Sequence, residues 1–346
     1  MKEKTRKLSI ICAAHNEGAT FEKHLQSLID QTYKNFEIII VNDGSTDNTG
    51  EIGKKFAAKY KDKVQYHKIK NVPGCGCVRP RLEAIKHASG EIYSWVDADA
   101  YYEKDYFEIC IKKLYSDPKK IGSVVPRMFF WDPKTFISKY KSLLIELRYR
   151  DPEQIDREIK NAIHSPWVIR KEVYEAVGGF HITWAYIEDV YLARNIMDSG
   201  YGIVYEPKAK WYHKLEEYPF DVMKKNFDIG RMYSTEFNVR DKTWIKVSYF
   251  TLPFLAIVAG IILSPWFFLV LPLHVVPLIV KSVKLFIMAT NMGIKKERWS
   301  AFYSVPASYL VNIPNMLGFF YGFIRPYDKS EIKKPISREI VKKKSQ

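Results

Sequence analysis

Short, nearly all-apolar runs that each end in a cluster of polar and acidic residues constrain this chain more than any other feature. Leu8–Ala14 and the runs 36–41 and 91–96 have the length and near-continuous hydrophobicity of strands covered on both faces, and Val64–Ile69 reads as another strand. Between them apolar residues recur at helical spacing: Phe21, Leu25, Leu28 and Ile29 in one segment, Ile52, Phe56 and Tyr60 in the next, then residues 80–88. Strands alternating with helices of this length predict an α/β fold whose sheet is mostly parallel, with helices on both faces.

Ligands of such sheets bind where the strands end. His15-Asn16-Glu17 follows the first strand, Asn42-Asp43-Gly44 the second and Asp97-Ala98-Asp99 the fourth. Any one cluster reads as turn or cap chemistry. Three on one edge point to a site.

Charge divides the 346 residues unevenly. Residues 1–230 hold 37 basic and 33 acidic side chains, net +4; that leaves 17 of the 54 Lys and Arg and 6 of the 39 Asp and Glu, net +11, for residues 231–346. A nucleic-acid binder would spread its charge over the folded domain, so no nucleic-acid partner is expected. The basic third also holds the apolar mass: residues 247–280 and 301–324 contain no Asp, Glu, Lys or Arg. Runs of that length predict transmembrane or interfacial helices. The charged first seven residues and the break at His15-Asn16-Glu17 are unlike a signal peptide, which predicts no N-terminal export. Cys12, Cys75, Cys77 and Cys110 lack zinc-ligand spacing and read as thiols.

Two aspartates separated by one residue at the end of a buried strand suit one hard cation that also takes phosphate oxygens and water. The chain has no Walker sequence and no G-x-G-x-x-G, so phosphate would be held by the metal and by basic side chains. Residues 10–50 then resemble the opening of family 2 glycosyltransferases of the GT-A fold: an apolar strand, an Asn16-Glu17 turn, a helix ending in Gln31-Thr32-Tyr33, and the loop from Val41 to Asp47. Asp97-Ala98-Asp99 is similar to that family's D-x-D element, Gly178-Gly179-Phe180 to its G-G-F element and Glu188-Asp189 to its E-D element.

That resemblance implies a Rossmann-like catalytic domain over residues 1–218 and an inverting transfer. Ala14, Asn16, Glu17 and Asp43 would face the base and ribose of a nucleotide-diphosphate sugar. Asp97 and Ala98 would lie by the ribose or diphosphate, with Asp99 and Asp97 at Mn2+ or Mg2+. Asp189, beside Glu188, would be the general base, and Gly178, Gly179 and Phe180 would form an acceptor-side loop. His213 reads either as an imidazole ligand of the metal or as an ordinary hydrogen-bonded histidine. The family's A-R-N-x-G element is replaced by Pro80-Arg81-Leu82-Glu83-Ala84, in which Arg81 keeps a cation for the diphosphate. Residues 73–77 read as a loop near that diphosphate or as a simple turn.

Beyond the catalytic domain the sequence predicts an amphipathic juxtamembrane segment at 219–246, with Phe220, Met223, Phe227 and Gly230 on one face. Transmembrane or interfacial helices at 247–325 and a basic tail at 326–346 follow. Flanking Lys and Arg put the catalytic domain on the cytosolic side of a cell membrane, in a multi-pass arrangement. The expected partners are therefore a nucleotide-diphosphate sugar, the membrane, and a lipid-linked or membrane-proximal glycan acceptor. Two other readings stand beside this one: a polyprenyl-phosphate monosaccharide synthase, whose ionised acceptor needs no base, and a catalytically silent membrane-bound scaffold that binds sugar nucleotides.

Overall fold

The computed structural model describes residues 6–72, 76–150, 168–180, 188–214, 219–235, 270–295 and 297–324, together with Leu255 and Ile262. Contacts divide the chain into two units: residues 1–129 with 151–214 and 329–346, and residues 130–150 with 215–328.

In the first unit β1 (Leu8–Ala14) lies between two parallel partners, β2 (Phe36–Asp43) and β4 (Ile92–Asp97), and β2 pairs in parallel with β3 (Val64–Ile69). Helices α1 (Phe21–Ile29), α2 (Thr49–Lys59) and α3 (Val78–His87) connect these strands. Each buries its apolar stripe: Phe21, Leu25 and Leu28 on α1 have no exposed surface. These elements agree with the sequence reading.

The sheet departs from the mostly parallel expectation after β4. Its order is β3-β2-β1-β4-β7-β6-β8-β5, where β5 is Ala100–Tyr102, β6 Ile121–Phe130, β7 Val168–Arg170 and β8 Gly202–His213. β7 runs antiparallel to both β4 and β6, and β5 runs antiparallel to β8. A parallel return needs a crossover of a dozen or more residues. Only Ala98 and Asp99 separate β4 from β5, too few for a parallel return beside β4; β5 instead pairs antiparallel with β8, and this half of the sheet curls back on itself. The core beneath it holds Trp95, Trp211, Tyr93, Tyr106 and Phe107, with α4 (Tyr106–Leu114) against β8. Burying side chains of this size stabilises by about 2–3 kcal/mol each.

Later in this unit α6 (Lys171–Ala176) follows β7, and α7 (Glu188–Asp198) precedes β8. Most of the loop at 73–77 lies outside the described residues.

The second unit is helical among the described residues. Its elements are α5 (Phe136–Arg150), α8 (Pro219–Thr235), α9 (Val270–Asn291), a 3-10 turn (Glu297–Tyr303) and α10 (Ser304–Ile324). Leu143 and Leu147 of α5 pack with Ala289, Ile294 and Ala301 in a small core. α8 meets α10 at glycines: a Cβ on Gly230 would sit 1.9 Å from the Asn315 carbonyl oxygen, and one on Gly318 1.9 Å from that of Phe227. The face predicted for the juxtamembrane segment is thus divided. Phe227 and Gly230 pack on α10, whereas Phe220 and Met223 are exposed.

Among the described residues no helix is long and apolar enough to cross a membrane. The uncharged run 301–324 splits between the 3-10 turn and α10, whose Ser304 hydroxyl is buried against Ser282 of α9. α9 carries Lys281 and Lys284 within its length. Apart from Leu255 and Ile262, residues 247–269 of the first uncharged run lie outside the described residues.

Candidate active site

The carboxyl ends of β1 and β2 hold each other through polar side chains. Asn16 adopts a left-handed backbone (φ 56°), which its short amide tolerates. Its amide N–H donates to Ser45 Oγ (3.0 Å) and its side-chain Oδ1 accepts from the Thr46 N–H (2.8 Å), while the Glu17 N–H donates to Thr49 Oγ1 (2.8 Å). Asn16 is therefore a loop brace. Ala14 is buried at the end of β1, in register with Asn42.

Asp43 ends β2 and is 5% exposed. Its Oδ2 accepts from Asn71 Nδ2 (2.8 Å), and its Oδ1 is buried with no hydrogen-bond partner among the described residues. Burial raises its pKa; the Asn71 hydrogen bond partly offsets this. A buried acceptor without a donor is costly unless a ligand supplies one. Gly44 (φ 67°), Lys68, Ile69, Lys70 and Asn71 line a cleft of about 530 Å³ alongside.

Asp97 ends β4, and its backbone N–H donates to Tyr102 Oη (3.2 Å). Two residues on, Asp99 Oδ1 lies 3.1 Å from His213 Nε2. The antiparallel register that pairs Ala100 with His213 brings them together. Glu17 faces the same place. Burial first, then repulsion from Asp99, pushes its carboxyl up to about 8, with His213 pulling the other way and Asp97 and Asp47 adding to the rise. The carboxylates of Glu17, Asp97 and Asp99 thus lie close enough to raise one another's cost of ionisation.

Arg81 of α3 joins the D-x-D and E-D motifs. Its Nη2 donates to Asp97 Oδ1 (3.2 Å) and its Nη1 to Glu188 Oε1 (2.8 Å). Cys77, one turn earlier, donates to the same Glu188 oxygen (2.9 Å). Burial opposes the charge of Arg81, but Cys77, Glu188, Asp97 and Asp189 more than offset that and hold its pKa above the ordinary value.

Residues 9–178 match the family described as Glycosyl transferase family 2. The chain carries a family 2 glycosyltransferase domain. The family 2 domain spans the site's Asp43, Arg81, Asp97 and Asp99, and Glu188-Asp189 follows ten residues beyond its matched end. Glycosyltransferase GlyA of Streptococcus pneumoniae serotype 4 is 38% identical over 108 residues, 31% of this chain and 15% of that protein. The poly-beta-1,6-N-acetyl-D-glucosamine synthase of Staphylococcus aureus is 27% identical over 214 residues, 61% of this chain and 50% of that protein. The matched stretches thus span half or less of these curated relatives. The mannosyltransferase PcManGT from Pyrobaculum calidifontis, solved with GDP-Man and Mn2+, superposes with a TM-score of 0.54 at 18% identity, covering 90% of this chain and 88% of that one. It shares the GT-A-like fold of the family 2 domain.

The donor atoms beside Asp99 fit a divalent ion. Among the described residues no three His, Cys, Asp or Glu side chains form a closed metal cluster. Asp99 and His213 form a carboxylate-imidazole pair, and burial, then the charge of Asp99, raises the pKa of Glu17 beside them. An open carboxylate-imidazole pair suits an ion whose other positions go to phosphate oxygens and water.

Three expected roles change with the geometry. Arg81, read as a cation for the diphosphate, is 3% exposed and engaged with two carboxylates. Glu188, read as catalytic, is buried on Arg81 and Cys77. Phe180, read as an acceptor-side residue, turns inward against Trp95 (ring centroids 4.7 Å apart) and Tyr174. Gly178 and Gly179 have φ of 83° and 62°, and a Cβ on Gly179 would sit 2.6 Å from the Tyr174 ring. Ala98 is buried between Asp97 and Asp99. Asn71 joins the site without a motif to announce it, while His15 comes from the first polar cluster and Cys77 from the loop at 73–77. His15 Nδ1 lies 2.7 Å from the Asp43 carbonyl oxygen. Asn71 follows the end of β3, and that position on the ligand-binding edge is the one signal it offered.

Proposed function

We propose that this chain transfers a sugar from a nucleotide-diphosphate sugar to a hydroxyl of a lipid-linked or membrane-proximal glycan, by a metal-assisted single displacement with inversion. One observation carries the reading: the same buried guanidinium bonds Asp97 of the donor-side motif and Glu188, the neighbour of Asp189. Donor and base are then close enough for one reaction.

In this reading the unpartnered Oδ1 of Asp43 accepts an N–H from the nucleobase. Asp99 and His213 would hold Mn2+ or Mg2+, which would supply Lewis-acid neutralisation of the departing diphosphate. Asp189 takes the proton of the acceptor hydroxyl as that oxygen bonds to the anomeric carbon and the bond to phosphate breaks. One base and no enzyme nucleophile give inversion.

The membrane assignment rests on the second unit. Val276, Ile279, Val280, Val283 and Ile287 form an exposed stripe along α9, with Lys284 beside it, and Trp299 and Phe302 are exposed on the 3-10 turn. Apolar stripes with basic neighbours suit the surface of an anionic leaflet. The reading is a multi-pass or interfacial protein with its catalytic domain on the cytosolic side.

Incubation with a panel of UDP- and GDP-sugars, Mn2+ and n-octyl glycosides, with water as background acceptor, tests the proposal through released nucleoside diphosphate. Release from one donor class supports it. No release, and no binding of UDP or GDP in the presence of Mn2+, would overturn it.

A further inference from the structure

We propose that Arg81 and Cys77 are positioning residues, which set the distance between the donor-side aspartates and the base Asp189 without touching either substrate. The inference rests on the transfer reading above.

Four observations carry it. Arg81 is 3% exposed, so a diphosphate would have to displace its present partners to reach it. Its two terminal nitrogens serve two motifs far apart in sequence, Asp97 at 3.2 Å and Glu188 at 2.8 Å. The planar fork fixes both directions at once, which an ammonium on a flexible stem does not. Phe180 backs the fork, with the guanidinium carbon 5.8 Å from its ring centroid, and Cys77 adds a second donor to Glu188 Oε1 from the preceding turn of α3. Helix α3 therefore clamps Glu188, the first residue of α7, through side chains four apart on one face. Asp189 follows Glu188 directly, so the clamp sets where the base stands relative to Asp97 and Asp99.

A residue that contacts the diphosphate and a residue that positions the base differ in what their loss does. Losing a diphosphate contact weakens binding of the nucleoside diphosphate itself. Losing a positioning residue leaves that binding and slows transfer.

The test uses the full chain with Mn2+, UDP and GDP as binding probes, and nucleoside diphosphate release as the rate. Arg81→Lys keeps the charge and loses the fork. It is expected to bind the probe that wild type prefers within about twofold of wild type and to release diphosphate about tenfold more slowly or worse, as a displacement near 1 Å does. Glu188→Gln carries the same test should Arg81→Lys not fold, because it keeps an acceptor oxygen and loses only charge. Cys77→Ser, which preserves a donor, is expected to retain more activity than Cys77→Ala. A loss of probe binding as large as the loss of rate, or a wild-type rate in the folded variants, overturns the inference. A wild-type chain that binds neither probe overturns the transfer reading instead.

Discussion

The imidazole of His213 stands 3.1 Å from the carboxylate of Asp99, although 114 residues separate them. The antiparallel pairing of β5 with β8 makes the contact, since Ala100 and His213 are register partners and Asp99 precedes Ala100. If this pair holds the divalent ion, His213→Ala weakens apparent Mn2+ affinity by at least about tenfold, the lower end of what losing even an outer-shell partner costs. Metal titration of diphosphate release measures this, and the loss should shrink at saturating Mn2+.

One carboxylate oxygen of Asp43 has no partner among the described residues and would, in the proposed transfer, accept from a nucleobase; Asn71 holds the other. Removing a charged acceptor from a hydrogen bond costs roughly 1.5–3 kcal/mol, so Asp43→Ala should weaken nucleoside diphosphate binding about tenfold or more. Asn71→Ala should weaken it less, because the carboxylate remains. Calorimetric titration with UDP and GDP distinguishes the two.

Asp189→Asn keeps size and removes the proposed base. Transfer to a hydroxyl should fall about 100- to 10,000-fold, the usual contribution of general base catalysis, with nucleoside diphosphate affinity nearly unchanged. A rate close to wild type would remove Asp189 from the mechanism.

Glu17 gives the fold a pH signature. Its carboxyl is raised to about 8 by burial and by Asp99, from an ordinary value of 4.5. The folded state binds this proton more tightly than the unfolded chain, so its contribution is greatest below pH 4.5 and is lost as pH rises toward 8. The melting temperature of metal-free protein should fall over that window. Glu17→Gln should flatten the change, and so should Mn2+, which neutralises the facing carboxylates.

Gly179→Ala tests the G-G-F turn as architecture. Its φ of 62° disfavours a side chain, and the new Cβ would meet the Tyr174 ring at 2.6 Å. Strain and displacement together should cost about 1–3 kcal/mol. Thermal melts should show a larger effect at Gly179 than at Gly178, where a Cβ meets nothing within 4 Å.

The first four strands and three helices were legible because their signal is local: short, near-continuous apolar runs declare buried strands, and apolar residues at period 3.6 declare a helix and its buried face. The acidic clusters were legible for the same reason, since a strand's polar end is written next to it. The antiparallel half of the sheet was not. β5 and β7 are three residues long and carry little periodicity of their own. Their partners lie far along the chain, and pairing depends on what the curled sheet leaves open.

Sequence alone determined which residue types stand at the strand ends, Glu17, Asp43 and the Asp97–Asp99 pair, with Glu188-Asp189 farther along, in an α/β frame whose charge excess lies beyond the site. Only the tertiary structure decided what those groups do to one another. Arg81 was written as a cation and became a buried clamp between Asp97 and Glu188; Phe180 was written as a loop residue and became the wall behind that clamp. The physical reason is that charge and hydrogen-bonding capacity belong to a side chain, whereas burial and partner are set by every element that packs around it.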